Sequence, residues 1–413
     1  MRILQLAQFL PPVAGGEERH VWNLSRALAA RSHNVTLLGF AAGGEQVGEN
    51  TSEGVRTVRC RTTASRLPVL YSDASRPHAL PLPDPSVSRA IRRELAANSY
   101  DVIHAHNWIV NSALGPATHA GVPLLMTLHD YSHICATKRM MEHGRRRCDG
   151  PAPRRCFSCA TGHYGLVNGA VTLVANARAA RRRAHLVSEA AAVSSAVADA
   201  VAVPADRWLH GSGLATRVIP NFIPDEIVLD AIPAIEPDAP LLFVGDLTAD
   251  KGVQILLDAY AKLNCPPRLI LAGRSAQAWR FPPGADWVGQ LPHHEVVALF
   301  RSARAVIVPS VWADPCPTVV LEAMAAGRPV VAAASGGIVD MVVDGRTGLL
   351  VTPGDTAGLT GALTTILGDL EAARRLGAAG RDRARAFTIS AVVERIEQMY
   401  ADHIVKQDVP VLR

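Results

Sequence analysis

The chain has 413 residues, 48% hydrophobic and 19% charged, with a formal net charge of +5. That length suits two or three domains with cores of their own, and the composition is that of an ordinary globular chain rather than a disordered or fibrous one. No run of about 18 uninterrupted apolar residues occurs, so no membrane-spanning helix is expected.

The opening MRILQLAQFLPP is too short and too uncharged at its front for a secretory signal, and reads as a first buried strand. The expected compartment is the cytosol. Charge is spread unevenly. Through Arg217 the chain carries 25 lysines and arginines against 15 aspartates and glutamates, and the remainder carries 17 against 22. The basic half holds two clusters, Arg145–Arg146–Arg147 with Arg154 and Arg155, and Arg181–Arg182–Arg183. They read either as a solvated surface or as an attraction for a phosphate-bearing acceptor or an anionic membrane face. Nucleic acid is disfavoured, because aromatic residues make up only 5% of the chain and none interleaves with the arginines.

Along the chain, short apolar runs alternate with amphipathic stretches. Arg2–Gln8, Val35–Phe40, Val102–His106 and Leu124–Leu128 are β-rich and bounded by turn residues. They predict buried parallel strands. Val21, Leu24, Leu28 and Ala29 recur at helical spacing between the first two, giving a βαβ unit from residue 2. The pattern breaks at Arg66–Pro85 and again at Cys135–Cys159. After a junction marked by prolines 220, 224, 233 and 237, a second series begins. Strands are expected at Leu241–Val244, Arg268–Ala272, Ala285–Val288, Ala305–Val308 and Pro329–Ala332. Helices are expected at Gly252–Leu263, His294–Arg301, Thr318–Ala326 and Thr356–Gly368. The reading is an α/β protein with two doubly wound, Rossmann-like domains facing a central cleft. Domain one spans 1–220 with a cysteine-rich insert at 135–159, and domain two spans 221–389. A last helix within 390–413 can return to the first domain, since Val392, Val393, Ile396 and Met399 share one face.

The most informative stretch is PSVWADPCPTVVLEAMAAGRPVV, from Pro309 to Val331. A strand ends, a loop carries Asp314, and a helix carries Glu322. Both carboxylates can face the crevice at the carboxyl ends of the strands, where open α/β sheets bind ligands. A carboxylate accepts hydrogen bonds from a pair of hydroxyls, and the first helical amides at Thr318 and Val319 suit a diphosphate. The plain alternative is a capping acid followed by a surface acid.

Four of the seven cysteines are grouped: Cys135, Cys148, Cys156 and Cys159. The CxxC pair with two further thiols has the makings of a closed, structural zinc site, and free thiols in an ordered loop are the alternative. No open coordination position would remain for catalysis.

Here the chain resembles the retaining GT-B glycosyltransferases of the large group 4. The resemblance rests on Asp314 and Glu322 at their seven-residue spacing followed by EAMAAGRPVVA, on FVGDLTADKG (Phe243–Gly252), and on Gly15–Gly16. TLHDY (Thr127–Tyr131) and ASGGIVDMVVDGRTGLLV (Ala334–Val351) complete it, in the family's order over nearly the whole chain. It implies a nucleoside-diphosphate-sugar donor, retention of anomeric configuration, and catalysis without a metal or other cofactor. Glu322 then holds the donor's ribose, Asp314 contacts the transferred sugar, and Lys251 neutralises the leaving diphosphate. His129 reaches the donor sugar and its phosphate, and Gly15 and Gly16 let backbone approach the substrates. Asp314 is shorter than the usual glutamate. Asp246 stands where an arginine is customary, so either it points away or another arginine such as Arg274 substitutes.

A nucleotide-sugar epimerase or a phosphorylase on the same fold is the rival enzyme class, and the spaced acids argue against both. A dinucleotide dehydrogenase is excluded, because QFLPPVAGGEE lacks the G-x-G-x-x-G fingerprint. The non-enzymatic rival is a degenerate nucleotide-sugar-binding partner on the same fold. Sugar, base and acceptor are not encoded in any motif of the chain.

Overall fold

The structure is a computed structural model and describes residues 1–10, 16–41, 47–63, 79–202, 212–229 and 233–404. Gly15 and most of the Arg66–Pro85 stretch lie outside the described residues. The chain divides into two units. The first comprises Met1–His143, Cys148–Pro220 and the chain from Val392 on, and the second comprises Gly144–Arg147 and Asn221–Ala391.

In chain order the strands of the first unit are β1 (Arg2–Phe9), β2 (Asn34–Phe40), β3 (Gly48–Ser52), β4 (Val55–Cys60), β5 (Val102–His106) and β6 (Leu124–Leu128). Two two-residue strands, β7 (Met141–Glu142) and β8 (Arg146–Arg147), lie in the cysteine-bearing insert, and β9 (Glu189–Ala192) and β10 (Thr216–Val218) follow. The main sheet runs β10-β9-β6-β5-β1-β2-β4-β3, parallel except where β3 meets β4. These strands carry near-continuous apolar runs because helices cover both faces of such a sheet. Ile3, Leu4 and Leu6 have no exposed surface, each worth about 1.5–3 kcal/mol of burial. The chain leaves β1 for β2 and β4 on one side, then returns for β5, β6, β9 and β10 on the other. The switch therefore falls between β1 and β5, at the ends that carry His106 and, one strand further, His129.

The second unit has six parallel strands, β11 (Leu241–Val244), β12 (Leu269–Ala272), β13 (Ala285–Gly289), β14 (Ala305–Val308), β15 (Val330–Ala333) and β16 (Gly348–Val351). Their order is β13-β12-β11-β14-β15-β16. Phe243, Leu256, Leu271, Ile307 and Leu363 belong to one buried cluster against this sheet. Its switch lies between β11 and β14, so the loops after those two strands diverge and leave a crevice at their carboxyl ends. Two helix starts here carry capping aspartates. Asp355 accepts the Gly358 N–H at 2.9 Å and Asp369 accepts the Ala372 N–H at 2.8 Å.

One expectation is corrected. Arg183 is no part of a basic surface: on the helix Leu166–Leu186 it is fully buried, whereas Arg181 and Arg182 are exposed. Asn176, seven residues earlier, shares its inward face. The Arg183 guanidinium donates to Asn111 Oδ1 at 2.9 Å, Asn176 Oδ1 at 3.1 Å, the His133 carbonyl at 3.0 Å and His133 Nδ1 at 3.1 Å. Burial pulls its pKa down to about 9 and that of His133 to about 3, so the arginine stays charged and the imidazole neutral at pH 7. A buried charge satisfied by four acceptors is costly to disturb. Arg183→Ala leaves those acceptors without their donor, at about 1–3 kcal/mol for each one left unsatisfied. Urea unfolding of this variant should show a loss of at least about 3 kcal/mol, and a loss below about 1 kcal/mol would contradict this account of the packing.

Candidate functional site

In the second unit, three loops interlock at the switch point. The chain leaves β11 through Gly245 and Asp246 and reaches Lys251 just before the helix Val253–Tyr260. Gly252 takes the left-handed conformation (φ 74°), and a Cβ there would collide with the Pro309 carbonyl after β14. The Asp250 carbonyl accepts the N–H groups of Val311 and Trp312 at 3.0 and 3.1 Å. From the far side, Ser335 Oγ donates to the Trp312 carbonyl at 3.0 Å, and the Gly337 N–H donates to the Asp314 carbonyl at 2.8 Å. Gly336 (φ 56°) again has no room for a side chain, which would strike Asp314 backbone. Gly336 of the ASGG stretch is thus required by close backbone approach.

This clamp brings Lys251 Nζ to 2.5 Å from Asp314 Oδ2. Asp314 is only 6% exposed. The lysine is half-buried and also lies 4.9 Å from the Trp312 ring centroid, within cation–π range. Four residues beyond Asp314, the helix Thr318–Ala325 begins after Pro317, with the Thr318 and Val319 amides in its first turn. Glu322, one turn in, faces inward and is 9% exposed. Its Oε1 lies 3.0 Å from His293 Nε2, on the residue that opens the helix His293–Ser302. Sequence reasoning missed His293, and the signal available was its place directly after Pro292 at a helix start.

Asp246 and Arg274 meet each other. Arg274 donates from Nε to Asp246 Oδ1 at 3.0 Å and from Nη2 to Oδ2 at 2.8 Å. The loops after β11 and β12 run side by side to allow it. A Cβ at Gly273 would collide with the Gly245 carbonyl, and the Leu247 N–H donates to the Arg274 carbonyl at 2.7 Å. The pair is well exposed, and the hydrogen bonds to Asp246 raise the guanidinium pKa. Asp246 therefore stands neutralised by the arginine that the sequence offered as a substitute.

In the first unit, Gly16 is exposed and opens the helix Gly16–Ala30. His129 follows β6 and is half-buried. Its N–H donates to Asn107 Oδ1 at 3.2 Å, and Asn107 sits buried in a left-handed conformation (φ 55°) at the end of β5. Asn107 Nδ2 in turn donates to Glu17 Oε2 at 2.7 Å. Burial, then the charge of Asp130, pushes the Glu17 carboxyl up to about 7. His106 Nδ1 lies 2.9 Å from His129 Nε2, and the His20 and His129 rings are 4.7 Å apart. Ligand atoms of His20, His106 and His129 lie within 4.8 Å of one another, a spacing at which three imidazoles can share a metal ion. Both nitrogens of His106 are already engaged, however, by His129 and by Gln5. Burial and the neighbouring imidazoles hold His106 well below the usual histidine range.

The cysteines of the insert are near neighbours, since Cys135, Cys148 and Cys159 all raise the Cys156 thiol that burial pushes up to about 11. Each sulfur has a local partner. Cys156 Sγ accepts the Ala152 N–H at 3.3 Å and Cys159 Sγ the His143 N–H at 3.2 Å, while Cys148 Sγ donates to the Gly150 carbonyl at 3.2 Å and Cys135 Sγ lies 3.3 Å from Thr137 Oγ1. No three of them come within the 4.8 Å that the histidine trio achieves. Zinc binding by these thiols requires the sulfurs to draw together.

Comparison with known proteins gives one answer over the two units. A model described as Glycosyltransferase Family 4 matches residues 14–226, and one described as Glycosyl transferases group 1 matches residues 229–383. The chain is 30% identical over 431 residues to a glycogen synthase of Mycobacterium tuberculosis, covering 97% of this chain and 94% of that one. It is 30% identical over 418 residues to a D-inositol 3-phosphate glycosyltransferase of an Arthrobacter species, covering 94% and 92%. Among solved structures, sucrose-phosphate synthase from Thermosynechococcus elongatus superposes with a TM-score of 0.72 at 21% identity, covering 98% and 99%. Anabaena HepE in complex with UDP-glucose does so with a TM-score of 0.65 at 18% identity, covering 97% and 100%. At those identities the structures speak to the fold.

Glu17 yields a direct test of the first unit's electrostatics. Its carboxyl pKa rises from 4.5 to about 7 on folding. Its stabilising contribution is complete below the unfolded value and is lost as pH rises through the folded one. Glu17→Gln mimics the protonated acid. The gain in Tm of this variant over the natural chain should grow between pH 5 and 7 and level off above, whereas a pH-independent difference would contradict the assignment.

Proposed function

Because the chain belongs to the group 1 glycosyl transferases of glycosyltransferase family 4, we propose that it transfers a sugar from a nucleoside diphosphate donor with retention of anomeric configuration. That it is a glycosyltransferase of nucleotide sugars follows from the family. The finer reading is carried by one observation, the Lys251–Asp314 pair at the switch point of the second unit, four residues before the helix that bears Glu322.

In this reading Glu322 accepts hydrogen bonds from the donor's ribose hydroxyls, in the place His293 now occupies. The Thr318 and Val319 amides and Lys251 receive the diphosphate. Asp314 contacts the transferred sugar while fixing the direction of Lys251. As the glycosidic bond breaks, negative charge gathers on the departing phosphates, and a pre-positioned ammonium stabilises it without any reorganisation. The sugar passes through an oxocarbenium-like state. The departing phosphate takes the acceptor's proton on the same face, so an α-linked donor gives an α-linked product. No step calls for a metal. His129, with Gly15 and Gly16, is the first unit's contribution to substrate handling.

UDP-glucose, seen in HepE, is the first donor to try. For the acceptor, the first half's excess of lysine and arginine favours a phosphate-bearing molecule, in keeping with the inositol phosphate named for several relatives.

Release of free nucleoside diphosphate from a donor panel tests the activity, and nucleotide binding without release from any donor would favour the degenerate-partner reading instead. Within an active enzyme, Lys251→Ala should cut turnover about 100-fold, a barrier increase of about 3 kcal/mol. Glu322→Ala should weaken nucleotide binding by about 1.5–3 kcal/mol in calorimetry, with the fold intact. Unchanged affinity would remove Glu322 from the donor site.

A further inference from the structure

A chain of buried hydrogen bonds in the first unit runs from the last helix, Ile389–Ile404, to His129. Gln5 Nε2 donates to Tyr400 Oη at 2.9 Å, and Gln5 Oε1 lies 2.9 Å from His106 Nε2. His106 Nδ1 then lies 2.9 Å from His129 Nε2. On a side branch, Tyr400 Oη is 2.7 Å from His104 Nδ1, and His104 Nε2 is 2.8 Å from Thr127 Oγ1. Gln5, His104, His106 and Tyr400 have no exposed surface.

Each proton in this chain can be assigned. An amide carbonyl only accepts, so His106 Nε2 must carry the proton it shares with Gln5. Desolvation keeps His106 neutral, which leaves Nδ1 as its lone pair. The proton between the two histidines therefore sits on His129 Nε2. On the branch, Tyr400 already accepts from Gln5, so its hydroxyl donates to His104 Nδ1 and His104 Nε2–H donates to Thr127. Each of these hydrogen bonds then has one donor and one acceptor, and the orientation of a single amide sets the polarity of the whole chain.

We propose that His106, Gln5 and Tyr400 are positioning residues for His129, holding it as the tautomer protonated at Nε2 with Nδ1 as its basic nitrogen. This rests on the reading above in which His129 takes part in transfer. A free imidazole exchanges between tautomers, and the wrong one presents a donor where an acceptor is needed. The consequence is specific: the His129 Nε2–H is committed to His106 and is not the group that meets a substrate. The final helix also acquires a role in the reaction through Tyr400, beyond its apolar packing.

Nitrogen-15 NMR of the histidine rings in the full chain tests this, with the His129 signals identified by their loss in His129→Asn. In the natural chain His129 Nε2 should appear protonated and Nδ1 as a lone-pair nitrogen. Gln5→Glu places a carboxylate on His106 Nε2–H and favours the His106 imidazolium, whose Nδ1–H then donates to His129. The His129 pattern should invert, with kcat down at least tenfold and the donor KM within twofold. If Gln5→Glu does not fold, Tyr400→Phe serves: without its anchor Gln5 turns, and His129 should show both tautomers. An Nδ1-protonated His129 in the natural chain, or an unchanged His129 pattern in whichever variant folds, would overturn the positioning claim. Full turnover in His129→Asn would overturn the participation of His129 itself, and is separable because the tautomer is read without substrate.

Discussion

Lys251 is held 2.5 Å from Asp314, and the charge balance of the second unit's crevice follows from that contact. A free lysine is a mobile, strongly hydrated point charge. Here its ammonium has one direction, fixed by an acid that is itself locked by backbone on both sides. The backbone locks come first: the left-handed glycines 252 and 336 allow the loops after β11, β14 and β15 to touch. The short side chain of Asp314 then suits this geometry, since its reach is spent on the lysine.

Charge is paired in a consistent way around this point. Asp246, an acid at a position where the family resemblance leads one to expect a cation, is met by the bidentate guanidinium of Arg274. Glu322 is met by His293. Two of these partners, Arg274 and His293, are exposed, and the Arg274–Asp246 pair, open to solvent on both sides, can yield to a ligand at a cost of at most about 1 kcal/mol. The buried acids Asp314 and Glu322 are the fixed elements, and the exposed side chains of Arg274 and His293 the exchangeable ones. The first unit is built differently. Its histidines are neutral and linked through an amide and a phenol, so the direction of donation, rather than net charge, is what the fold specifies there.

Much of this was legible in the sequence, for definite reasons. β5, β6, β11 and β14 have the boundaries expected of them; β11 and β14 are uninterrupted apolar runs, as strands buried on both faces tend to be. The helix expected from Gly252 to Leu263 is shorter, Val253–Tyr260, since Gly252 is needed in a left-handed turn. What the sequence could not convey is pairing at a distance. Asp246 with Arg274, Glu322 with His293, and Gln5 with Tyr400 are joined only by the sheet and helix arrangement. Arg183 was misread for the same reason: three adjacent arginines look like a surface, and only the helix's orientation shows that the third points inward. The four cysteines, by contrast, are near neighbours in the fold as their spacing suggested.

The central claim is that the second unit receives the nucleotide with Glu322 on the ribose and Lys251 on the diphosphate. A crystal structure of the full chain with UDP bound tests it most directly. The account predicts ribose hydroxyls within hydrogen-bonding distance of Glu322, His293 displaced, and the distal phosphate in contact with Lys251 and the Thr318 and Val319 amides. A nucleotide ordered elsewhere, with the Glu322–His293 and Lys251–Asp314 contacts both unchanged, would contradict it.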